Sequence, residues 1–143
     1  MSETAKTVEQ LIEHAGNVRD SVNKLRQSIK DICTILDRLA ATIQVEATIY
    51  LDGNRMEGTT MGFRSDRDFH LEVEIFDRSS VDRDKHMTSF HAPGEMTSEW
   101  LVRITDSLPR FLKWWCERME KSGVERTQES AAKIERALKA IKP

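Results

Sequence analysis

The sequence predicts an α+β fold in which a long N-terminal helix is followed by an antiparallel meander of three or four strands and two C-terminal helices. Three observations predict it. Apolar residues recur at alternating steps of three and four through the first third of the chain, change to strict alternation in the middle, and return to helical spacing after Pro93-Gly94. A sheet with one apolar face needs a cover, and the helices supply it. The whole of 1–143 reads as one domain, with the long helix in 1–43, the sheet in 44–92 and the helical C-terminal part in 97–142.

The first helix carries the clearest pattern. Val8, Leu11, Ala15, Val18, Val22, Leu25, Ile29, Ile32, Leu36, Leu39 and Ile43 form an unbroken heptad stripe. A period of 3.5 keeps one face towards a partner helix when the two supercoil, so the segment reads as a coiled-coil element built to pack lengthwise. Ser2 or Thr4 is placed to cap its start, with Glu3 and Glu9 favouring the helix dipole. The positions beside the stripe include Ile12, His14, Arg19, Ser21, Arg26, Ser28, Cys33, Ile35, Ala40 and Thr42, with no acidic residue among them. The stripe widens through Cys33, Ile35 and Ala40, which points to more than one neighbour for the C-terminal half. A helix over 8–43 is about 55 Å long, against a diameter of about 30–35 Å for a compact monomer of this size. A homodimer resolves the mismatch, with Val18, Val22, Leu25, Ile29, Ile32 and Leu36 as the oligomerisation stripe. Its partner is the same helix of another subunit or the final helix.

Val45, Ala47, Ile49 and Leu51 then alternate with Gln44, Glu46, Thr48 and Tyr50, as a strand with one buried face requires. Asp52-Gly53-Asn54 supplies turn chemistry. A second strand over Met56–Arg64 sets Glu57, Thr59, Met61 and Phe63 on one face and Met56, Gly58, Thr60 and Gly62 on the other, the two glycines permitting close backbone approach. After the polar turn Ser65–Asp68, Phe69, Leu71, Val73 and Ile75 point inward from a third strand, with His70, Glu72, Glu74 and Phe76 outward. Asp77–Lys85 reads as a loop and His86–His91 as a short fourth strand.

In the last third, Thr97 or Ser98 caps a helix carrying Trp100, Leu101, Ile104, Leu108, Phe111, Leu112, Trp115 and Met119. Pro109 is expected to kink or restart it, with Asp106 or Ser107 capping the second piece. Gly123 is expected to end it as a C-cap. The final helix, about Val124–Ile141, repeats the three-four stripe through Val124, Thr127, Ala131, Ile134, Leu138 and Ile141, with Lys139 and Lys142 in its last turn.

Composition narrows function by exclusion. The N-terminus MSETAKTVEQ lacks the basic-then-apolar order of a secretory signal, and no apolar run approaches bilayer length, so a cytoplasmic protein with no membrane partner is expected. Cys33 and Cys116 form neither a disulfide framework nor a CxxC pair and read as reduced core thiols. Lys+Arg against Asp+Glu runs six to six in 1–43, six to eleven in 44–96 and ten to seven in 97–143, which gives 0, −5 and +3. That is no strong positive field, so nucleic acid is an unlikely partner.

Chemical motifs are weak throughout. His86 and His91 are five apart, a spacing that suits neither a strand nor a helix face, so with His70 they are only weak metal candidates and no metal or other cofactor is expected. Asp66, Asp68, Asp77, Asp82 and Asp84 are interleaved with Arg64, Arg67, Arg78, Arg83 and Lys85, the composition of a salt-laced surface, and Asp82-Arg83-Asp84 lacks the glycine of a calcium loop. Gly58–Gly62 lies inside a strand pattern, where no helix N-terminus receives a phosphate. No Gly-x-Ser-x-Gly occurs, and no catalytic residue is assigned.

Aromatic residues point to association. Trp114 and Trp115 diverge by about 100° on a helix, so one fills the core while the other lies at an edge with Phe111 or Arg118. Met87 and Phe90 are further candidate partner contacts. The leading functional expectation is a non-enzymatic, oligomeric protein-binding module: an adaptor, a chaperone-like protein or an inhibitor of another protein. Small acidic α+β dimers of this size include secretion chaperones and phage-type inhibitors. That resemblance is one of type, and the helix-sheet-helix order lacks a secretion chaperone's further strands. The alternatives are a small metal- or ligand-binding enzyme centred on His70, His86 and His91, and weak nucleic-acid binding by Arg126, Lys133, Arg136 and Lys139.

Overall fold

The computed structural model describes residues 2–141, so Lys142 and its expected place in the last helical turn lie outside the described residues. The Ser2 hydroxyl accepts from the Ala5 amide at 3.2 Å and caps helix α1, which runs unbroken over Glu3–Ile43. Its 41 residues span about 60 Å. Gln44 takes the left-handed conformation that stops the helix and donates its amide to the Ala40 carbonyl.

Four antiparallel strands follow as a meander in the order β1-β2-β3-β4: β1 Ala47–Gly53, β2 Glu57–Phe63, β3 Glu72–Asp77 and β4 Met87–His91. Gly53 supplies the positive φ (77°) at the first hairpin, and the Asn54 side chain accepts from the Met56 amide at 2.8 Å. Register sorts the two faces. Ile49, Met61, Val73 and His91 stand opposite one another on the face towards the helices, and Tyr50, Thr60, Glu74 and Phe90 on the other. A Cβ on Gly62 would lie 2.1 Å from the Ala47 carbonyl oxygen, so the close approach expected of that glycine is realised.

The third strand begins three residues later than its alternation suggested. Asp68 and Phe69 are both left-handed (φ 57° and 55°), and the Leu71 amide donates to Asp37 Oδ1 of α1 at 2.7 Å instead of entering the ladder. Leu71 and Val73 are buried as the pattern requires, whereas Phe69 is half-buried, Ile75 at the far end of the strand is exposed, and the outward Phe76 is buried beneath Arg78.

Two expected breaks in the C-terminal helices are absent. Helix α2 runs continuously over Ser98–Arg118 through Pro109, and no second piece starts at Asp106 or Ser107. Pro109 and Thr105 both lie on the exposed side, where the carbonyl that the missing N–H leaves free faces solvent and not the apolar core. Gly123 does not cap. The backbone widens into a π-helical segment, Met119–Val124, and continues as α3, Glu125–Ile141. A Cβ on Gly123 would meet Val45 Cγ2 at 3.2 Å, so the glycine serves the approach of this segment to the start of the sheet.

The core sits between the sheet and the C-terminal half of α1 together with α2. It gathers Ile29, Leu36 and Ala40 from α1, Met61, Phe63 and Val73 from the sheet, and Leu101, Ile104, Phe111 and Trp115 from α2. Phe63 lies 4.7 Å from Trp115 and 5.8 Å from Phe111, ring centre to ring centre, and the Trp115 indole N–H donates to the Val45 carbonyl at 3.0 Å. Arg26 ties α1 to the turn before α2 by donating to the carbonyls of Gly94 (2.7 Å) and Met96 (2.8 Å). Val18, Val22 and Leu25 of α1 line one groove with Ser98 and Val102 at the start of α2, and Ile43 lies beside Met119 at its end. The two helices therefore run in the same direction. Among the described residues, no helix is long and apolar enough to cross a membrane.

Candidate functional site

The fold leaves two regular apolar stripes uncovered, both on helical segments. The stripe of α1 is regular in sequence but divided in its use. Ile29, Leu36 and Ala40 are 3%, 6% and 0% exposed, whereas Val8, Leu11 and Val18 are 47%, 62% and 63% exposed. Of the six residues expected to form an oligomerisation stripe, Ile29 and Leu36 belong to the chain's own core. Val22, Leu25 and Ile32 are half-buried against that core, and Val18 is open. Ile29 and Leu36 therefore do not form part of an oligomerisation stripe, because the sheet and α2 already occupy their face and leave no free side for another subunit. Ile12, next to the stripe, is exposed as well, so the arm offers a broad apolar face.

Helix α3 is open along its length, and none of its residues is buried. Val124, Ile134, Leu138 and Ile141 are all exposed. Its first turn borders the rest of the molecule, where Thr127 and Gln128 share a groove with Ile43, Met119 and Gly123. Single exposed apolar residues are ordinary on a protein surface, but two regular stripes at helical spacing are not.

The expected partner contacts separate. Trp115 fills the core and Trp114 lies at the edge, with the Arg118 guanidinium 5.8 Å from its ring centre. Arg118 also donates to the Glu46 carbonyl at 3.3 Å, and the pair borders a shallow depression with Glu46, Ala47 and Thr48. Phe111 is fully buried between α2 and the sheet and presents nothing to a partner. Its position one helical turn before Trp115 places it on the same inward face. Met87 is exposed at the start of β4, and Phe90 is half-covered by the Arg67 guanidinium, 4.0 Å from its ring centre.

Arginines, not a helix, dress the outer face of the sheet. Glu74 is buried there and paired with both Arg64 and Arg78, the latter at 3.2 Å, and Arg78 lies over the Phe76 ring. Arg67 pairs with Glu72 at 2.8 Å. Thr48, Tyr50 and Thr60 complete a shallow polar pocket with Arg64, Glu74, Phe76 and Arg78. The interleaved charges of 64–85 were legible as a salt-laced surface. Only the strand register reveals that three of the arginines converge on one face.

The two sheet edges also differ. Along β1, Arg110 donates to the Tyr50 carbonyl at 2.7 Å and Arg118 to that of Glu46, so α2 blunts the edge. The other edge, β4, pairs with β3 alone and is exposed over most of its length.

The histidines have separate partners. His70 Nδ1 is 3.4 Å from Asp37 Oδ2, His86 Nε2 lies 2.7 Å from the Ser80 carbonyl oxygen, and His91 Nε2 is 2.9 Å from Ser89 Oγ. Among the described residues, no three His, Cys, Asp or Glu side chains form a group able to hold a metal ion. Cys33, expected in the core, is half-buried against it, and burial, assisted by Asp37, pushes its thiol up to about 12. Cys116 is exposed, contrary to its expected place in the core, because it follows the inward-facing Trp115 on α2. Two carboxylates sit below their usual range through hydrogen bonds from serines: Glu46 accepts from the Ser65 hydroxyl and amide, and Asp77 from those of Ser79. Arg126, Lys133, Arg136 and Lys139 lie on exposed α3, interspersed with Glu125, Glu129 and Glu135.

The chain matches no known family model, no curated protein and no solved structure.

Proposed function

We propose that this protein is a non-enzymatic, oligomeric protein-binding module of the cytoplasm, a homodimer that holds another protein as an adaptor, chaperone-like factor or inhibitor. The observation that carries this reading is the pair of uncovered apolar stripes, on the N-terminal half of α1 and along α3. Exposed stripes of this regularity disfavour a free monomer, because each apolar side chain left in water forgoes about 1.5–3 kcal/mol of burial. Association covers them in coiled-coil fashion. The partner-facing surface is the edge formed by Trp114 and Arg118, together with Met87 and Phe90 at the open β4 side. Tryptophan beside arginine at a solvent-facing edge is the composition of interface hot spots.

Affinity capture from the native host tests the reading, with wild type and a Trp114→Ala/Met87→Ala variant as paired baits. A protein retained by wild type and lost with the variant is the expected result. No protein retained specifically by wild type, or identical retention by both baits, overturns it.

A further inference from the structure

Resting on that oligomeric reading, we infer which helices pair: the N-terminal arm of α1 docks antiparallel on α3 of a second copy of this chain, and the reverse contact closes the dimer. Three observations select this occupant. The first is placement. Because α1 and α2 run in the same direction, the arm 3–18 projects past the start of α2, and α3 projects past the end of α1. The arm is about 23 Å long and α3 about 25 Å. A two-fold axis across the stretch that α1 shares with α2 lays each arm along the partner's α3, giving two identical seams with no open end.

Spacing is the second. Read in opposite directions, the stripes share one step sequence, so Val8, Leu11, Ala15 and Val18 stand against Ile141, Leu138, Ile134 and Ala131. Small residues then face large ones at two of the four levels, which lets the helices approach closely. This register covers Ile134, Leu138 and Ile141, the large apolar residues of α3, all of which are exposed within one chain.

Charge is the third. Residues 3–13 carry Glu3, Glu9 and Glu13 against Lys6, a net of −2, and residues 131–141 carry Lys133, Arg136 and Lys139 against Glu135, a net of +2. Antiparallel docking brings these halves together. Pairing arm with arm sets one acidic segment against another, since residues 3–20 sum to −2 with Asp20 and Arg19 included, and the net-positive half over 21–43 has Ile29, Leu36 and Ala40 already sealed in the chain's own core. None of the three arm acids or three α3 bases sits directly beside its stripe, so the fields choose the partner and the direction while the apolar seam holds it.

Directed disulfides on the full chain test this, in a background with Cys33→Ser and Cys116→Ser. Leu11→Cys and Leu138→Cys chains are oxidised separately and after refolding together, while light scattering gives the mass of the background protein. The expected result is a background mass twice 16.5 kDa, with covalent dimers in the mixture and only traces with either variant alone. A dimer that links through Leu11→Cys alone, or gives no link in the mixture, overturns this pairing and leaves the oligomeric reading standing. A background protein that stays at 16.5 kDa overturns both.

Discussion

The two halves of α1 share one sequence pattern and have opposite fates. From Val22 onward most of the stripe is covered by the sheet and α2, with Ile29, Leu36 and the flanking Ala40 sealed, while Leu39 alone of its large residues stays 47% exposed. Before Val22, the same steps of three and four end in open solvent. Heptad spacing therefore fixes which face of the helix is apolar, while the neighbours that cover it are decided elsewhere in the chain. Of the widening through Cys33, Ile35 and Ala40, Cys33 and Ala40 do meet the core, whereas Ile35 is 59% exposed and meets none of those neighbours.

Substitutions along the helix sharpen this contrast. Leu36→Ala opens a cavity in the shared core and is expected to cost about 2–5 kcal/mol in denaturant unfolding, at any protein concentration. Leu11→Ala is expected to act through association, so its effect on the unfolding midpoint grows with protein concentration and vanishes on dilution. Equal, concentration-independent losses at both sites would break the distinction between the halves.

Glycines give a second contrast, of smaller size. Gly62→Ala drives a methyl group into the Ala47 carbonyl and is expected to lose about 1–3 kcal/mol or more. Gly16 lies in the arm with nothing near its Cα, and Gly16→Ala is expected to gain about 0.5–1 kcal/mol of helix stability. Helical circular dichroism measured through the melt checks both signs.

Thiol reactivity compares the interior of α1 with the surface of α2. With its thiol pushed up to about 12, Cys33 holds roughly one part in ten thousand as thiolate at pH 8, so a maleimide or disulfide reagent is expected to label Cys116 alone in the native protein. Labelling of both at equal rates would show that α1 separates readily from the core.

The smallest expected effect is at Glu46. Its folded-state pKa is lowered, so the Ser65 contact contributes stability above the unfolded value and loses it as pH falls through the folded one. The difference in Tm between wild type and Glu46→Gln is therefore expected to be present near neutral pH and to shrink below the glutamate range. A difference that persists unchanged at the acid end contradicts the assignment.

Much of this architecture was legible because it rests on local periodicity. A cap at Ser2 or Thr4, the two faces of β2, a tight turn at Asp52-Gly53-Asn54 and the divergence of Trp114 and Trp115 follow from spacing and side-chain chemistry, and the structure selects Ser2, a positive φ at Gly53 and Trp115 as the inward ring. The misses depend on contacts made at a distance. Asp37 of α1 takes the Leu71 amide and delays β3, the exposure of Thr105 lets Pro109 stay inside a helix, and Val45 explains Gly123 better than capping does. The candidate surfaces divide in the same way. Trp114 and Arg118 were visible from helical geometry, whereas the burial of Phe111 and the cluster of Arg64, Arg78 and Glu74 required knowing which strands are neighbours.

Light scattering of the full chain across a range of concentrations tests most directly whether the uncovered arm is a subunit contact. A mass of twice 16.5 kDa at micromolar concentration, returning to 16.5 kDa in a Leu11→Glu/Val18→Glu variant that retains its helical spectrum, is the result expected. A mass of 16.5 kDa for the wild type at every concentration would contradict it.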